Sequence, residues 1–193
     1  MTNPWDVPPK PAHGDASPET TFAAVGRALS AWERLDLELA ILYAALLGVP
    51  PSDAIKRPEY RQENTSVGRL DVIERAFEVY SRTHHDQTIE GDADTLLVDV
   101  RGLCNRRNDI AHGIVVPLWS ERDPEEFILS PAMYRDKRFN TAGEPDFLYS
   151  SVEINAFGKI FDWTILRCVR LRTMIALKID PYPELQLSQR RAP

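Results

Sequence analysis

A long apolar repeat near the amino terminus constrains the fold more strongly than any other stretch of this sequence. Its large apolar residues recur at intervals of three, four and seven positions, at Phe22, Val25, Leu29, Trp32, Leu39, Tyr43 and Leu46. This period predicts one long amphipathic α-helix, with Ser17 as its N-cap, Pro18 at its first position and Gly48 at its end. Residues 37–47 are apolar on nearly every side, so several other helices must cover them.

Three further long helices are predicted from the same period. The second begins at Thr65 or Ser66 and the third near Asp92, and the last covers residues 150–178. The first four residues of the last helix resemble a capping box, and prolines follow its end. The sequence therefore predicts a mainly α fold, an antiparallel helical bundle.

The period changes between the third helix and the last. Residues 114–119, 126–129 and 147–150 are short β-favouring runs separated by turn signals, and Pro117 restricts the first run to an edge or a bulge. We expect a small antiparallel hairpin or meander as an insertion over residues 114–150. Its aromatic side chains either pack it onto the helices, which is favoured, or stack on unpaired bases: Trp119, Tyr134, Phe139 and Tyr149.

A chain of 193 residues is expected to form one domain with a substantial core. Residues 1–16 are rich in proline and predict an extended arm, which Trp5 would anchor. Residues 17–180 form the helical domain, and residues 181–193 form a loose tail. Inside the domain, the polar segment 51–63 predicts one short helix interrupted by a proline.

Composition bounds the location and the kind of partner. The sequence has no apolar run of about 18 residues and no recognisable secretion signal, so a cytoplasmic protein that does not span a membrane is expected. Cys104 and Cys168 lie within apolar helical patterns and are expected to be reduced core residues. The net charge of −6 argues against a broad phosphate-binding surface, so any RNA site must be local.

Positive charge is concentrated in two places. Arg101, Arg106 and Arg107 lie near the end of the third helix, and a second group, which is more typical of a solvated face, lies on the last helix: Arg167, Arg170, Arg172 and Lys178. The run of residues 84–86, His-His-Asp, lacks further metal-ligand spacing and is better explained as a solvated loop. No metal and no cofactor is predicted.

The third helix ends in the sequence Arg107-Asn108-Asp109-Ile110-Ala111-His112-Gly113. Arg107 shares a helix stripe with four apolar residues, and a guanidinium there needs an acid, a phosphate or a wet interface as its partner: Leu96, Val100, Leu103 and Ile110. Asn108 and His112 share a face, whereas Arg107 and His112 diverge by roughly 140° on a straight helix. Either the helix breaks at His112, which Gly113 would permit, or the groups meet across a subunit interface.

This motif resembles the catalytic motif of the HEPN domains (higher eukaryotes and prokaryotes nucleotide-binding). That family's signature is an arginine, usually followed by Asn, Asp or His, with a histidine a few residues later. The resemblance implies a HEPN-like helical bundle, a two-fold dimer with facing motifs and, often, RNA cleavage without a metal. It also implies a toxin–antitoxin or phage-defence role, with a cognate antitoxin as a possible partner. Where one antitoxin-paired subgroup has a tyrosine, this chain has Ile114.

Our first hypothesis is a metal-independent endoribonuclease that cleaves single-stranded RNA. His112 would act as general base or acid while a ribose 2′-hydroxyl attacks the adjacent phosphate, Arg107 would hold that phosphate, and Asn108 would orient His112 or the substrate. Arg106 and Arg101 are the predicted substrate-binding residues. One histidine cannot be base and acid at once, so we expect a homodimer that brings two together.

Two other interpretations remain open. The protein could be a non-catalytic helical dimer that binds RNA, a nucleotide or a protein partner, or a purely structural bundle. In the structural interpretation His112 is a cation at the helix C-terminus beside Gly113 as the C′ residue, and Arg107 pairs with Asp109 or another acid. An Arg107 paired within its own subunit, together with a covered His112, would favour the binding module.

Overall fold

A computed structural model describes residues 3–118, 126–132 and 136–179. The protein is mainly α-helical with a small two-stranded antiparallel sheet. The helices are α1 (Pro18–Leu47), α2 (Pro51–Ala54), α3 (Pro58–Arg61), α4 (Ser66–Thr83), α5 (Gln87–His112) and α6 (Ser151–Ile179). The strands are β1 (Gly113–Leu118) and β2 (Glu126–Pro131), and a short 3₁₀-helix covers Asp136–Arg138.

Local capping explains where the long helices begin. The Ser17 hydroxyl accepts a hydrogen bond from the Thr20 amide at 3.4 Å at the start of α1, and Thr65 caps α4 by accepting from the Gly68 amide at 3.0 Å. In the predicted capping box before α6, the Ser150 amide donates to the Glu153 carboxylate at 2.8 Å. These starts confirm the sequence predictions.

Two boundaries differ from the predictions. Helix α5 begins at Gln87 rather than near Asp92, because the Asp86 carboxylate accepts hydrogen bonds from the amides of Thr88 and Ile89 at 3.0 and 3.3 Å. The polar segment 51–63 contains two short helices rather than one, and each begins with a proline at its first position.

The chain divides into two compact units, which are described separately. Unit 1 comprises residues 1–34 and 102–163, as far as they are described. In its core the Trp32 ring meets Phe161 edge to face at a centroid distance of 5.2 Å. Arg27 bonds to Asn155 and Arg34 to Asp162, so these parts of α1 and α6 run in the same direction.

Unit 2 comprises residues 35–101 and the described part of 164–193. Most apolar side chains of residues 37–47 are buried, although Leu37 remains 60% exposed. Here α5 runs antiparallel to α6, since Arg167 pairs with Asp99 and Arg170 with Asp92.

The predicted antiparallel arrangement thus holds for α5 and α6 in unit 2 but not for α1 and α6 in unit 1. The connection that follows α1 accounts for this difference. Tyr60 stacks on Tyr43 at 5.0 Å between ring centroids, and Arg69 then pairs with Asp36, so residues 48–65 lead the chain back alongside α1 before α4 begins.

The sheet follows directly after the motif helix. Gly113 of β1 lies opposite Pro131 of β2, and Leu118 lies opposite Glu126. The third predicted strand is reduced to one bridge, in which the backbones of Leu129 and Tyr149 exchange hydrogen bonds of 2.8 and 3.0 Å. Trp119, Tyr134 and the tail 181–193, which also carried predictions, lie outside the described residues.

The proline-rich amino-terminal segment is anchored at two places in unit 1. The Trp5 ring packs against the backbone of Gly102 in α5, so close that an added Cβ there would lie 2.3 Å from the ring. Asp15 forms a bridge to Phe127, with both N–O distances at 2.8 Å, and its carboxylate accepts hydrogen bonds from Ser151 and Thr21.

Two predicted features concern the cysteines and the membrane. Cys104 and Cys168 are buried and form no disulfide in the described part of the chain, as predicted, and burial raises the pKa of the Cys168 thiol to about 12. None of the helices in residues 3–118 and 136–179 combines the length and apolar character needed to cross a bilayer.

Candidate functional site

The motif helix continues unbroken to His112, and β1 starts at the next residue. Gly113 is therefore the first strand residue rather than a left-handed C′ residue; the described glycines with positive φ are Gly48 and Gly143. A side chain at Gly113 is excluded by close packing, since a Cβ would lie 2.7 Å from the Leu129 side chain and 3.0 Å from the Asp109 carbonyl oxygen. The sheet is thus pressed against the last turn of the helix.

Arg107 occupies the predicted stripe, where its four apolar neighbours are buried. Its guanidinium lies 3.9 Å from the carboxylate of Glu33 and donates a 3.3 Å hydrogen bond to Asn108, while its buried Nε has no hydrogen-bond partner in the described part of the chain. The Glu33 side chain is 68% exposed, so this contact is a weak one. The acid beside Arg107 is Glu33 rather than Asp109.

Asn108 and His112 share a face, as predicted, and that face lines a pocket of about 180 Å³. The pocket is formed by four residues of α5 and three of the insertion: Asn105, Asn108, Asp109, His112, Pro131, Arg138 and Phe147. His112 is exposed, and Arg107 does not belong to the lining. Within one chain, therefore, the predicted arginine and histidine do not converge.

A buried ion cluster forms the wall of this pocket. The Asp109 residue is 4% exposed, and Arg106 lies 3.0 Å from its carboxylate. The Tyr149 hydroxyl donates to the same carboxylate at 3.1 Å and accepts from Arg106 at 3.0 Å. Burial raises the pKa of the Tyr149 hydroxyl, against the opposing effect of Arg106 and Arg138, so the hydroxyl keeps the proton that it donates.

Tyr149 also shows what the insertion's aromatic residues do. Its ring is completely buried, stacked on Phe147 at 4.7 Å and edge-on to Phe157 at 5.5 Å. Its role is to pack the insertion onto the helices, which confirms the favoured interpretation for this residue.

Arg138 completes the cluster from the 3₁₀-helix of the insertion. It pairs with the Asp109 carboxylate, its guanidinium carbon lies 5.2 Å from the centre of the Phe147 ring, and Asp146 is 4.0 Å away. The sequence analysis missed Arg138 and Asn105. Asn105 lies one helical turn before Asn108, so the helical period alone places it on the same face. No spacing rule connects Arg138 to the motif.

The predicted substrate-binding arginines are engaged elsewhere. Arg106 is 8% exposed and bonded to Asp109 and Tyr149. Arg101 belongs to unit 2, where it pairs with Asp71 at 2.7 Å and Glu74 at 2.9 Å. Because Arg106 is buried, a contact with RNA would require its ion pair with Asp109 to open, whereas the Arg101 side chain is 39% exposed. The role of both as substrate ligands stays a prediction.

A larger groove of about 840 Å³ lies in unit 1 between α1 and α6. Its floor is made of small residues such as Ala28 and Gly158, with Arg27 and Lys159 among its lining residues. It contains no residue of the motif. We take the smaller pocket as the candidate site, because an imidazole, two amides and a guanidinium converge there, which is typical of functional sites.

Among residues 3–118, 126–132 and 136–179, no group of three His, Cys, Asp or Glu side chains is arranged to hold a metal ion. No model of a known protein family, no curated protein and no solved structure matches this chain. Function is therefore inferred from the chemistry of the pocket and from the motif that lines it.

Proposed function

We propose that the protein is a metal-independent endoribonuclease of the HEPN type, which cleaves single-stranded RNA as a cytoplasmic toxin or phage-defence effector. The observation that supports this most is the pocket in which His112 and Asn108 lie side by side with the Arg138 guanidinium. A HEPN-like bundle and a cognate antitoxin partner belong to the same proposal.

The reaction needs one proton acceptor and one proton donor. An imidazole, which exchanges protons readily near neutral pH, takes the proton of a ribose 2′-hydroxyl. The 2′ oxygen then bonds to phosphorus, and the bond from phosphorus to the 5′ oxygen breaks. The departing 5′ oxygen receives a proton, which leaves a 2′,3′-cyclic phosphate and a 5′-hydroxyl. His112 is exposed and lines the pocket, so a substrate that enters the pocket can reach its ring.

The position of Arg107 supports a homodimer. It points to a different side of α5 from His112, the acid beside it is an exposed Glu33 at 3.9 Å, and its buried Nε has no hydrogen-bond partner among the described residues. We propose that each site uses Arg107 of one subunit and His112 of the other. In this arrangement each site contains one Arg107 and one His112.

A mixing experiment tests this sharing. An Arg107→Ala chain and a His112→Ala chain, separately tagged and co-purified as a heterodimer, contain one site with both groups intact. Activity is expected to return in part. Verified heterodimers with no cleavage above either parent would rule out the shared site.

The activity itself is tested with unstructured RNA and purified protein in EDTA. His112→Gln is expected to lower the cleavage rate by about 10²–10⁴-fold, the usual contribution of a general acid or base. His85→Gln is the matched control, because His85 is exposed and bonds only to Glu90 among the contacts described for it. Cleavage that EDTA abolishes, or that both variants retain equally, would contradict the mechanism.

A second candidate is a non-catalytic dimeric module that binds RNA, a nucleotide or a protein. The contact of Arg107 with Glu33 of its own chain and the net charge of −6 favour it. The exposure of His112 does not favour this second candidate. Retarded migration of an RNA that is never cleaved, dependent on Arg107, would identify this function.

A further inference from the structure

The guanidinium that lines the pocket together with His112 comes from the insertion and not from the motif. Arg138 and His112 both line the pocket, while Arg107 does not. An anion that entered the pocket would therefore share it with the Arg138 guanidinium and the His112 imidazole. The side-chain amides of Asn105 and Asn108 line the same space and offer further donors.

Arg138 is held in place before any ligand arrives. Its guanidinium pairs with the buried Asp109 carboxylate and lies over the Phe147 ring, and a third of its side chain remains exposed. Holding one edge of a planar guanidinium leaves other N–H groups to form paired hydrogen bonds with the oxygens of a phosphate. This arrangement lowers the entropy that Arg138 must lose when it binds an anion.

The charges around the pocket permit an anion. Asp109 is the only carboxylate in the described lining, and it is already engaged by Arg106, Arg138 and Tyr149. Among the described residues, Asp146 is a further acid near Arg138, but it is 44% exposed and at 4.0 Å. Solvent screens such an exposed pair strongly, so it neutralises little of the guanidinium charge.

The size of the pocket limits what can enter. Its volume of about 180 Å³ is below the roughly 300–1,000 Å³ of pockets that enclose a whole drug-sized ligand. A single phosphate group fits this space, whereas the attached nucleosides would lie outside it.

We infer that Arg138 and His112 form a phosphate-binding site, with Asp109 as the positioning residue that fixes Arg138. The identity of the bound group as an RNA phosphodiester rests on the proposed function; the binding of a phosphate does not. The insertion would thus supply Arg138, a phosphate-binding side chain that the motif helix alone does not place beside His112.

Titration with inorganic phosphate, followed by NMR of the histidine ring resonances, tests this site without any cleavage step. His112→Asn assigns the signal among the four histidines. We expect phosphate to shift the His112 resonances and Arg138→Gln to raise the phosphate Kd at least tenfold. The matched control is Lys137→Gln, which removes the same charge from the exposed neighbouring residue and should change the Kd less than twofold.

Circular dichroism shows whether Arg138→Gln is folded. If it is not, Arg138→Lys keeps the pairing with Asp109 but not the planar fork, and should weaken binding several-fold. Unshifted His112 resonances, or equal effects of the changes at residues 137 and 138, would overturn the inference while leaving RNA cleavage untouched. An Arg138-dependent shift in a protein that cleaves no RNA would support the site and contradict the proposed function.

Discussion

Asp109→Asn is the substitution that tests the buried cluster most severely. The change keeps the shape of the side chain but removes the negative charge that pairs with Arg106, whose side chain is 10% exposed. Removing one partner of a buried ion pair costs about 3–5 kcal/mol, because the other charge is stranded. We expect a loss of about 3 kcal/mol, at the lower end of that range, since the second partner, Arg138, is partly exposed and can be hydrated.

The loss is measured as the free energy of unfolding in urea, extrapolated linearly to water. Asp162→Asn is the control, because it breaks a well-formed 2.7 Å pair with Arg34 in which both side chains are more than half exposed. That pair should contribute only about 0–1 kcal/mol. Adding Arg106→Gln to Asp109→Asn should restore part of the loss by removing the stranded charge. Equal losses for Asp109→Asn and Asp162→Asn would refute the reasoning.

Three further predictions concern packing, pH and assembly. Gly113→Ala should destabilise the fold by about 1–3 kcal/mol through overpacking, whereas Gly91→Ala, in open space on α5, should be neutral or stabilising; urea unfolding compares the two variants, and equal effects would contradict the prediction. Burial raises the pKa of Tyr43, Tyr60 and Cys168 to about 12. As the pH rises, the unfolded chain loses these protons before the folded chain does. The free energy of unfolding should therefore have its full value at about pH 8 and fall towards about pH 11. A urea midpoint that does not change over this range would contradict the prediction. Light scattering should give twice the 21.9 kDa mass of one chain, and a monomer at micromolar concentration would count against the shared site.

Local periodicity was enough to predict much of the fold. The long α1, the buried stripe around Arg107 and the shared face of Asn108 and His112 all follow from the angle between successive residues of one helix. The start of α5 was missed because Asp86, its cap, lies in a histidine-rich run that was assigned to a loop.

Contacts between distant parts of the chain could not be predicted from the sequence. The pairing of Asp109 with Arg138 joins a helix to an insertion, and no period or spacing rule connects the two. The parallel course of α1 and α6 in unit 1 could not be predicted for the same reason, since it depends on the path of residues 48–65 back alongside α1. A C′ role for Gly113 was one of the alternatives that the sequence left open, because both a left-handed turn and a close approach favour glycine, and the position of Leu129 separates the two.

The most direct test of the proposed function is the chemistry of the RNA ends. A single-stranded oligonucleotide with one ribose in an otherwise 2′-deoxy chain is incubated with the protein in EDTA, and the masses of the products are measured by mass spectrometry. Cleavage is predicted only after the ribose, with a 2′,3′-cyclic phosphate on one product and a 5′-hydroxyl on the other, and it should be lost in His112→Gln. Cleavage of the all-deoxy chain, a 5′-phosphate on the product, or full activity of His112→Gln would contradict it.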